Sequence, residues 1–232
     1  MTYGSKPGLG AYAVDFVFCI DGSGSMVPMV DEVKRIASSM PHRFVEAMEE
    51  TGREIEELRA KVIVFRDFET DSEALMSSSF FTLPEETEAF QKFTAEIKAY
   101  GGGDEPENAL EALAAAMNTE WTDKGRNRRH IIVLFTDASA KKPEDSYREH
   151  PQYPREMPDS LAGLWDWWEN GTPNGRLNSR AKRLVLFAPE CSPWFDIANW
   201  PQVLFNPVTS GRGCIEAELE MVLTMAFQCM SY

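Results

Sequence analysis

The chain has 232 residues, with 37 acidic against 23 basic side chains and a formal net charge of -14. Such a surface repels phosphate backbones, and no basic stripe offsets it, so nucleic acid is disfavoured as a partner. No apolar run reaches the roughly 20 residues that cross a bilayer, and the start Met1-Thr2-Tyr3-Gly4-Ser5-Lys6-Pro7 has no apolar leader. No membrane contact and a cytoplasmic location are therefore expected.

Short apolar runs alternate with stretches of helical period. This is the pattern of an α/β domain: a doubly wound, mostly parallel sheet with helices on both faces. The first strand is expected over 14–20, running into Asp21-Gly22-Ser23-Gly24-Ser25. A helix follows, with Val30, Val33, Ile36, Ala37, Met40, Phe44 and Met48 on one stripe, and Pro41 should kink or divide it. A strand over 61–66 leads to Asp67, Glu69 and Asp71, read as a solvated acidic turn because a calcium loop's bend glycine is missing. A short antiparallel edge strand is expected near 79–82, then a helix over 85–99 through Phe90, Phe93 and Ile97.

Gly101-Gly102-Gly103-Asp104 precedes a third helix marked by Leu110, Leu113, Ala114 and Met117. Ile131-Ile132-Val133-Leu134-Phe135-Thr136-Asp137 is another apolar strand, over 130–136, that ends in a carboxylate. Strands over 183–187 and 202–205 and a helix over 215–228, with Ile215, Leu219, Val222 and Ala226, complete the order. One domain, 1–232, is expected. It carries an ordered Pro/Trp-rich insertion at about 143–180, with a short helix around 159–169 on which Trp165, Trp167 and Trp168 could form a partner surface; burial within the chain is favoured, because Trp165 and Trp168 share one helical face.

The four cysteines, Cys19, Cys191, Cys214 and Cys229, form no C-x-x-C pair, which argues against structural zinc. Cys19 reads as a small buried hydrophobe, and reduced thiols are favoured over a Cys191 to Cys214 disulfide. Of the histidines, His42 and His130 read as surface or capping residues.

Three segments place oxygen-bearing side chains at strand or helix ends: Asp21, Ser23 and Ser25; Asp104; and Asp137. Hard divalent cations take such oxygens, and open parallel sheets gather binding groups at the carboxyl ends of their strands. Asp104-x-x-Glu107 with Pro106 also reads as a helix cap with a reciprocating Glu at N3. Glu105 and Glu107 read as solvated carboxylates of the first turn.

These segments resemble the von Willebrand factor type A (vWA) domain, whose metal-ion-dependent adhesion site (MIDAS) combines D-x-S-x-S, a Thr or Asp on a second loop and an Asp on a third. Asp21-Gly22-Ser23-Gly24-Ser25 matches the first element, Thr136-Asp137 the third, and Gly101-Gly102-Gly103-Asp104-Glu105-Pro106-Glu107 the G-G-G-D-x-P-E version of bacterial members. The resemblance implies a Rossmann-like vWA fold and a metal site of Asp21, Ser23, Ser25, Asp104 and Asp137. Ser23 and Ser25 would bind the ion directly, while Asp21 and Asp137 would hold metal-bound water. Mg2+ is the expected ion, with Mn2+ and Ca2+ as alternatives. Asp104 stands where integrin-type domains have Thr and would neutralise more of the ion's charge.

The function implied is a non-enzymatic, Mg2+-dependent module that binds another protein through a Glu or Asp on the metal. Two alternatives stay open: a purely structural metal and a metal-dependent phosphohydrolase. A serine-hydrolase elbow, G-x-S-x-G, fails around Ser23 because the positions two before and two after it are Asp21 and Ser25, and a D-x-D pair fails because its second acidic position is Ser23.

Overall fold

The structure, a computed structural model, describes residues 11–28, 30–50, 52–103, 105–143 and 147–208. The helix expected over 215–228, and with it Asp104 and Cys214, lies outside these residues.

Strand β1 (Tyr12–Asp21) is buried along its whole length. Its alternate side chains feed two separate cores: Val14, Phe16, Phe18 and Ile20 on one face of the sheet, Val17 and Cys19 on the other. Side chains that alternate between two apolar cores are what a central strand covered on both sides requires, and the buried exception within the strand, Asp15, is paired with Arg59. β1 lies parallel between β2 (Ile55–Phe65) and β5 (Asn127–Phe135), with Phe18 opposite Val62 on one side and Val133 on the other. β6 (Lys182–Ala188) and β7 (Val203–Pro207) extend the sheet beyond β5, both parallel.

The antiparallel edge comprises two short pieces, β3 (Leu75–Ser77) and β4 (Phe81–Leu83), both paired with β2. β2 begins six residues before the expected strand because its first half, Ile55-Glu56-Glu57-Leu58-Arg59-Ala60, is charged on its less buried positions.

Helix α1 (Val30–Glu50) runs through Pro41 undivided, with Pro41 among its buried residues. Together with α2 (Thr87–Glu96) it covers the first face through Ile36, Met40, Phe44 and Phe90. Helices α3 (Ala109–Met117), α4 (Leu161–Asn170) and α5 (Trp194–Ala198) cover the second through Leu113, Leu164, Trp168 and Trp194. The architecture is the expected doubly wound α/β fold, with 3-10 geometry at Gly24–Met26 joining β1 to α1. Among the described residues no helix is long and apolar enough to cross a membrane.

The expected helix of the insertion is α4. Ser160 caps it, its hydroxyl accepting from the Gly163 amide at 3.2 Å. Trp168 is buried, donates to the Pro201 carbonyl and lies beside Trp200, whereas Trp165 packs edge-on against Trp200 and stays 38% exposed. The expected joint burial thus holds for Trp168 and only partly for Trp165. Cys19 is a buried thiol near the Ala112 carbonyl, as a small hydrophobe should be.

His130 corrects the surface or capping assignment. It is fully buried at the start of β5, stacked on Trp121 at 4.9 Å. The Asn178 amide points at Nδ1 and the Thr122 carbonyl faces Nε2, so Nε2 carries the proton of a neutral ring. Burial holds its pKa down to about 4. His42 is exposed on α1, 3.5 Å from Glu46.

Candidate metal centre

Chain order reverses across β1 and β5: β2 follows β1 on one side, while the later parallel strands lie on the other. The loops leaving their carboxyl ends therefore diverge and open a crevice there. Asp21 ends β1, and Thr136-Asp137 follows β5.

Asp21 is fully buried. Its Oδ1 accepts from the Ser23 amide at 2.8 Å and its Oδ2 from the Thr136 hydroxyl at 2.6 Å. Desolvation is the main cause that lifts its pKa to about 6; the Thr136 and Ser23 hydrogen bonds oppose it, and the Asp137 charge adds to it. Ser25 Oγ donates to Asp137 Oδ1 at 2.8 Å, and the Ser23 and Ser25 hydroxyls lie 2.9 Å apart. Four of the five expected residues, Asp21, Ser23, Ser25 and Asp137, are thus linked in one cluster; Asp104 lies outside the described residues.

The glycine loop closes over this cluster. The Gly24 amide donates to the Gly101 carbonyl at 3.0 Å. Gly102 has φ +83, and a Cβ there would sit 2.5 Å from both Ser23 Cβ and Glu107 Oε1, so its backbone fills the gap between the serine loop and Glu107.

Glu107 is not a solvated first-turn carboxylate. It is 4% exposed, and Oε2 has no hydrogen-bond partner among the described residues. Burial first, then the Asp21, Asp67 and Asp71 carboxylates, push its pKa up to about 9, against the pull of Lys141. The capping-box reading fails for the same local reason. Glu107 N donates to the Ser139 carbonyl and Lys141 N to the Glu107 carbonyl, so this segment bridges to the loop after β5 and α3 starts only at Ala109. Glu105 is exposed and accepts from the Ser139 amide at 2.8 Å.

The turn after β2 also departs from expectation. Asp67 is buried, its Oδ1 accepting from Lys141 Nζ at 2.6 Å, and Asp71 Oδ2 accepts from the Gly102 amide at 2.8 Å. Of Asp67, Glu69 and Asp71 only Glu69 is exposed, 3.3 Å from Lys141. This fourth loop supports the glycine loop, a role invisible in sequence because its partners lie some 30 and 70 residues away. Glu107 carried no local signal for this burial, since Pro106-Glu107 equally fits a helix cap, whereas Thr136 was visible as a hydroxyl before a strand-end carboxylate.

The donors suit a small hard cation: two adjacent hydroxyls backed by carboxylates, and a buried acid oxygen without a partner. Among the described residues no three His, Cys, Asp or Glu side chains form a metal cluster on their own. The pocket is about 100 Å³, lined by Ser23, Ser25, Gly102, Glu107 and Asp137 among others. That space suits an ion with a few waters and is well below the roughly 300–1,000 Å³ of small-molecule sites.

A profile of the von Willebrand factor A domain matches residues 15–148. The alpha-protein kinase vwkA of Dictyostelium discoideum is 25% identical over 168 residues, which is 70% of this chain and 22% of that protein; the chain therefore spans under a quarter of this relative. Among solved structures, a von Willebrand factor type A protein from Catenulispora acidiphila matches with a TM-score of 0.57 at 14% identity, covering 95% of this chain and 43% of that one. The pilus adhesin SpaC of Lactobacillus rhamnosus GG gives 0.49 at 13% identity, over 95% and 31%. The Catenulispora likeness shows the fold, and the profile spans more than half the sequence: the chain belongs to the von Willebrand factor A domain family.

Proposed function

We propose that this domain is a non-enzymatic, Mg2+-dependent protein-binding module with a metal-ion-dependent adhesion site at the carboxyl ends of β1 and β5. The observation that carries this reading is the continuous link from Asp137 through the Ser25 hydroxyl to Ser23, with buried Asp21 holding the Ser23 amide behind it. Ser23 and Ser25 would hold the ion, and Asp21 and Asp137 would orient them and hold its water. Asp104 joins them on its sequence pattern alone. When bound, the ion supplies a positive acceptor for a Glu or Asp of the partner. Mn2+ or Ca2+ would use the same oxygens.

Two observations favour this over the alternatives. The surrounding loops are already tied by Asp71 to Gly102, Lys141 to Asp67 and Glu105 to Ser139, so an ion is not needed to join them. For hydrolysis, His130 is buried at the far end of β5, and the pocket has little room for an organic substrate. The kinase activity in the relative's name is not carried over, because the chain spans 22% of that protein.

The test is a crosslinking pull-down with wild type and Asp21→Ala, each in Mg2+ and in EDTA. A protein captured by wild type in Mg2+ and lost both in EDTA and in the variant is the expected result. Capture that survives both changes would overturn metal-mediated binding.

A further inference from the structure

We propose that Arg66 is the positioning residue of this centre: a buried guanidinium that sets the spacing of the serine loop and the glycine loop by gripping main-chain carbonyls. The inference rests on the reading of that centre as a cation site.

Arg66 follows β2 directly and is 1% exposed. Its Nε donates to the Gly22 carbonyl at 2.9 Å, Nη1 to the Glu73 carbonyl at 2.9 Å and Nη2 to the Lys98 carbonyl at 2.7 Å. One planar group thus joins three segments remote in sequence: the loop after β1, the turn before β3 and the stretch between α2 and the glycines. The Gly22 carbonyl is shared with the Tyr100 amide at 2.9 Å, which seats the start of the glycine loop beside the Asp21 loop. Packing is close, since a Cβ on Gly22 would meet Arg66 Nη2 at 3.1 Å. The Tyr100 ring covers the guanidinium at 4.0 Å and is held there by its hydroxyl on Glu73 Oε2 at 2.7 Å.

Among the described residues Arg66 makes no ion pair with a carboxylate. Burying an uncompensated cation is costly, and apolar side chains commonly fill such space at least as well. Stability therefore does not account for an arginine here. A guanidinium does provide fixed donor directions that satisfy three carbonyls at once, which an ammonium on a flexible stem does not reproduce. The two conceivable effects on the centre have opposite signs. As a charge, Arg66 repels an incoming ion; as a fork, it holds Gly22 and Lys98 at the spacing that keeps Ser23 and Gly102 in contact.

Arg66→Lys separates them, because it keeps the charge and loses the fork. Mn2+ affinity is measured by electron paramagnetic resonance, and amide hydrogen exchange is measured on the ion-free protein. The expected result is affinity lower by about 10- to 100-fold, the usual loss when a group supporting a ligand is removed. Exchange should accelerate at Gly22, Gly24 and Gly102 and stay unchanged in β5 and β6. Wild-type affinity and exchange in the variant would overturn the proposal. If wild type itself takes no Mn2+, the cation reading fails, and the exchange comparison alone decides the positioning role. Should Arg66→Lys not fold, Tyr100→Leu at the surface replaces it. Hydration of the uncovered guanidinium should then weaken Mn2+ binding several-fold and speed Gly22 exchange, and no change in either would overturn the role.

Discussion

Gly102 shows how one backbone dihedral sets a site. With φ +83 and two side chains already 2.5 Å from where a Cβ would stand, it tolerates no larger residue without moving Ser23 or Glu107. Gly102→Ala is expected to cost about 2 kcal/mol or more, from left-handed strain and overpacking together, measured by urea denaturation. His130 gives a second prediction. Its folded-state pKa of about 4 lies below the ordinary value of 6.5, so its contribution to stability is fully present above pH 6.5 and is lost as pH falls toward 4. Protonating Nδ1 would also set it against the Asn178 amide. Asp21 and Glu107 have raised pKa values and act in the opposite direction, so the comparison must be with His130→Phe. Between pH 6.5 and 4 wild type should lose up to about 3 kcal/mol relative to that variant. Parallel profiles would show that His130 is not buried neutral. Neither Glu107 nor His130 could be placed from neighbouring residues, because their surroundings are built by Asp67 and Lys141 in one case and Trp121 and Asn178 in the other.

At the scale of elements, β1 and β5 were legible because each contains an apolar run, 16–20 and 131–135, that leads to a carboxylate, and α1 and α2 because each carries one clean stripe. The first half of β2 was not, since period-two alternation with charges at Glu56, Glu57 and Arg59 blurs into a polar loop. The start of α3 was misplaced because a local capping pattern lost to the pairing of Glu107 with Ser139 and Lys141. In the insertion, α4 is fastened by Trp168, whose carbonyl accepts from Lys182 Nζ and whose ring lies 4.8 Å from that ammonium. Trp168→Ala should cost about 3 to 5 kcal/mol. If the insertion and the sheet form one cooperative unit, urea unfolding keeps a single transition at a lower midpoint. A separate early transition would show that the insertion unfolds on its own.

For the whole molecule, carboxylates gather at the carboxyl ends of the central strands, namely Asp21, Asp67, Asp71, Glu105, Glu107 and Asp137, with Lys141 paired to Asp67 among them. A bound cation would relieve that repulsion, while the two apolar cores on either face of the sheet do not depend on it. Chelation should therefore lower the melting temperature without abolishing native circular dichroism; linkage at a hundredfold excess of ion over Kd is worth about 2.7 kcal/mol. The most direct measurement is titration calorimetry with Mn2+ on wild type and on the double variant Ser23→Ala, Ser25→Ala. A serine-held cation site requires one ion per chain in wild type and none in the double variant, with both proteins folded. Equal binding in the two would contradict it.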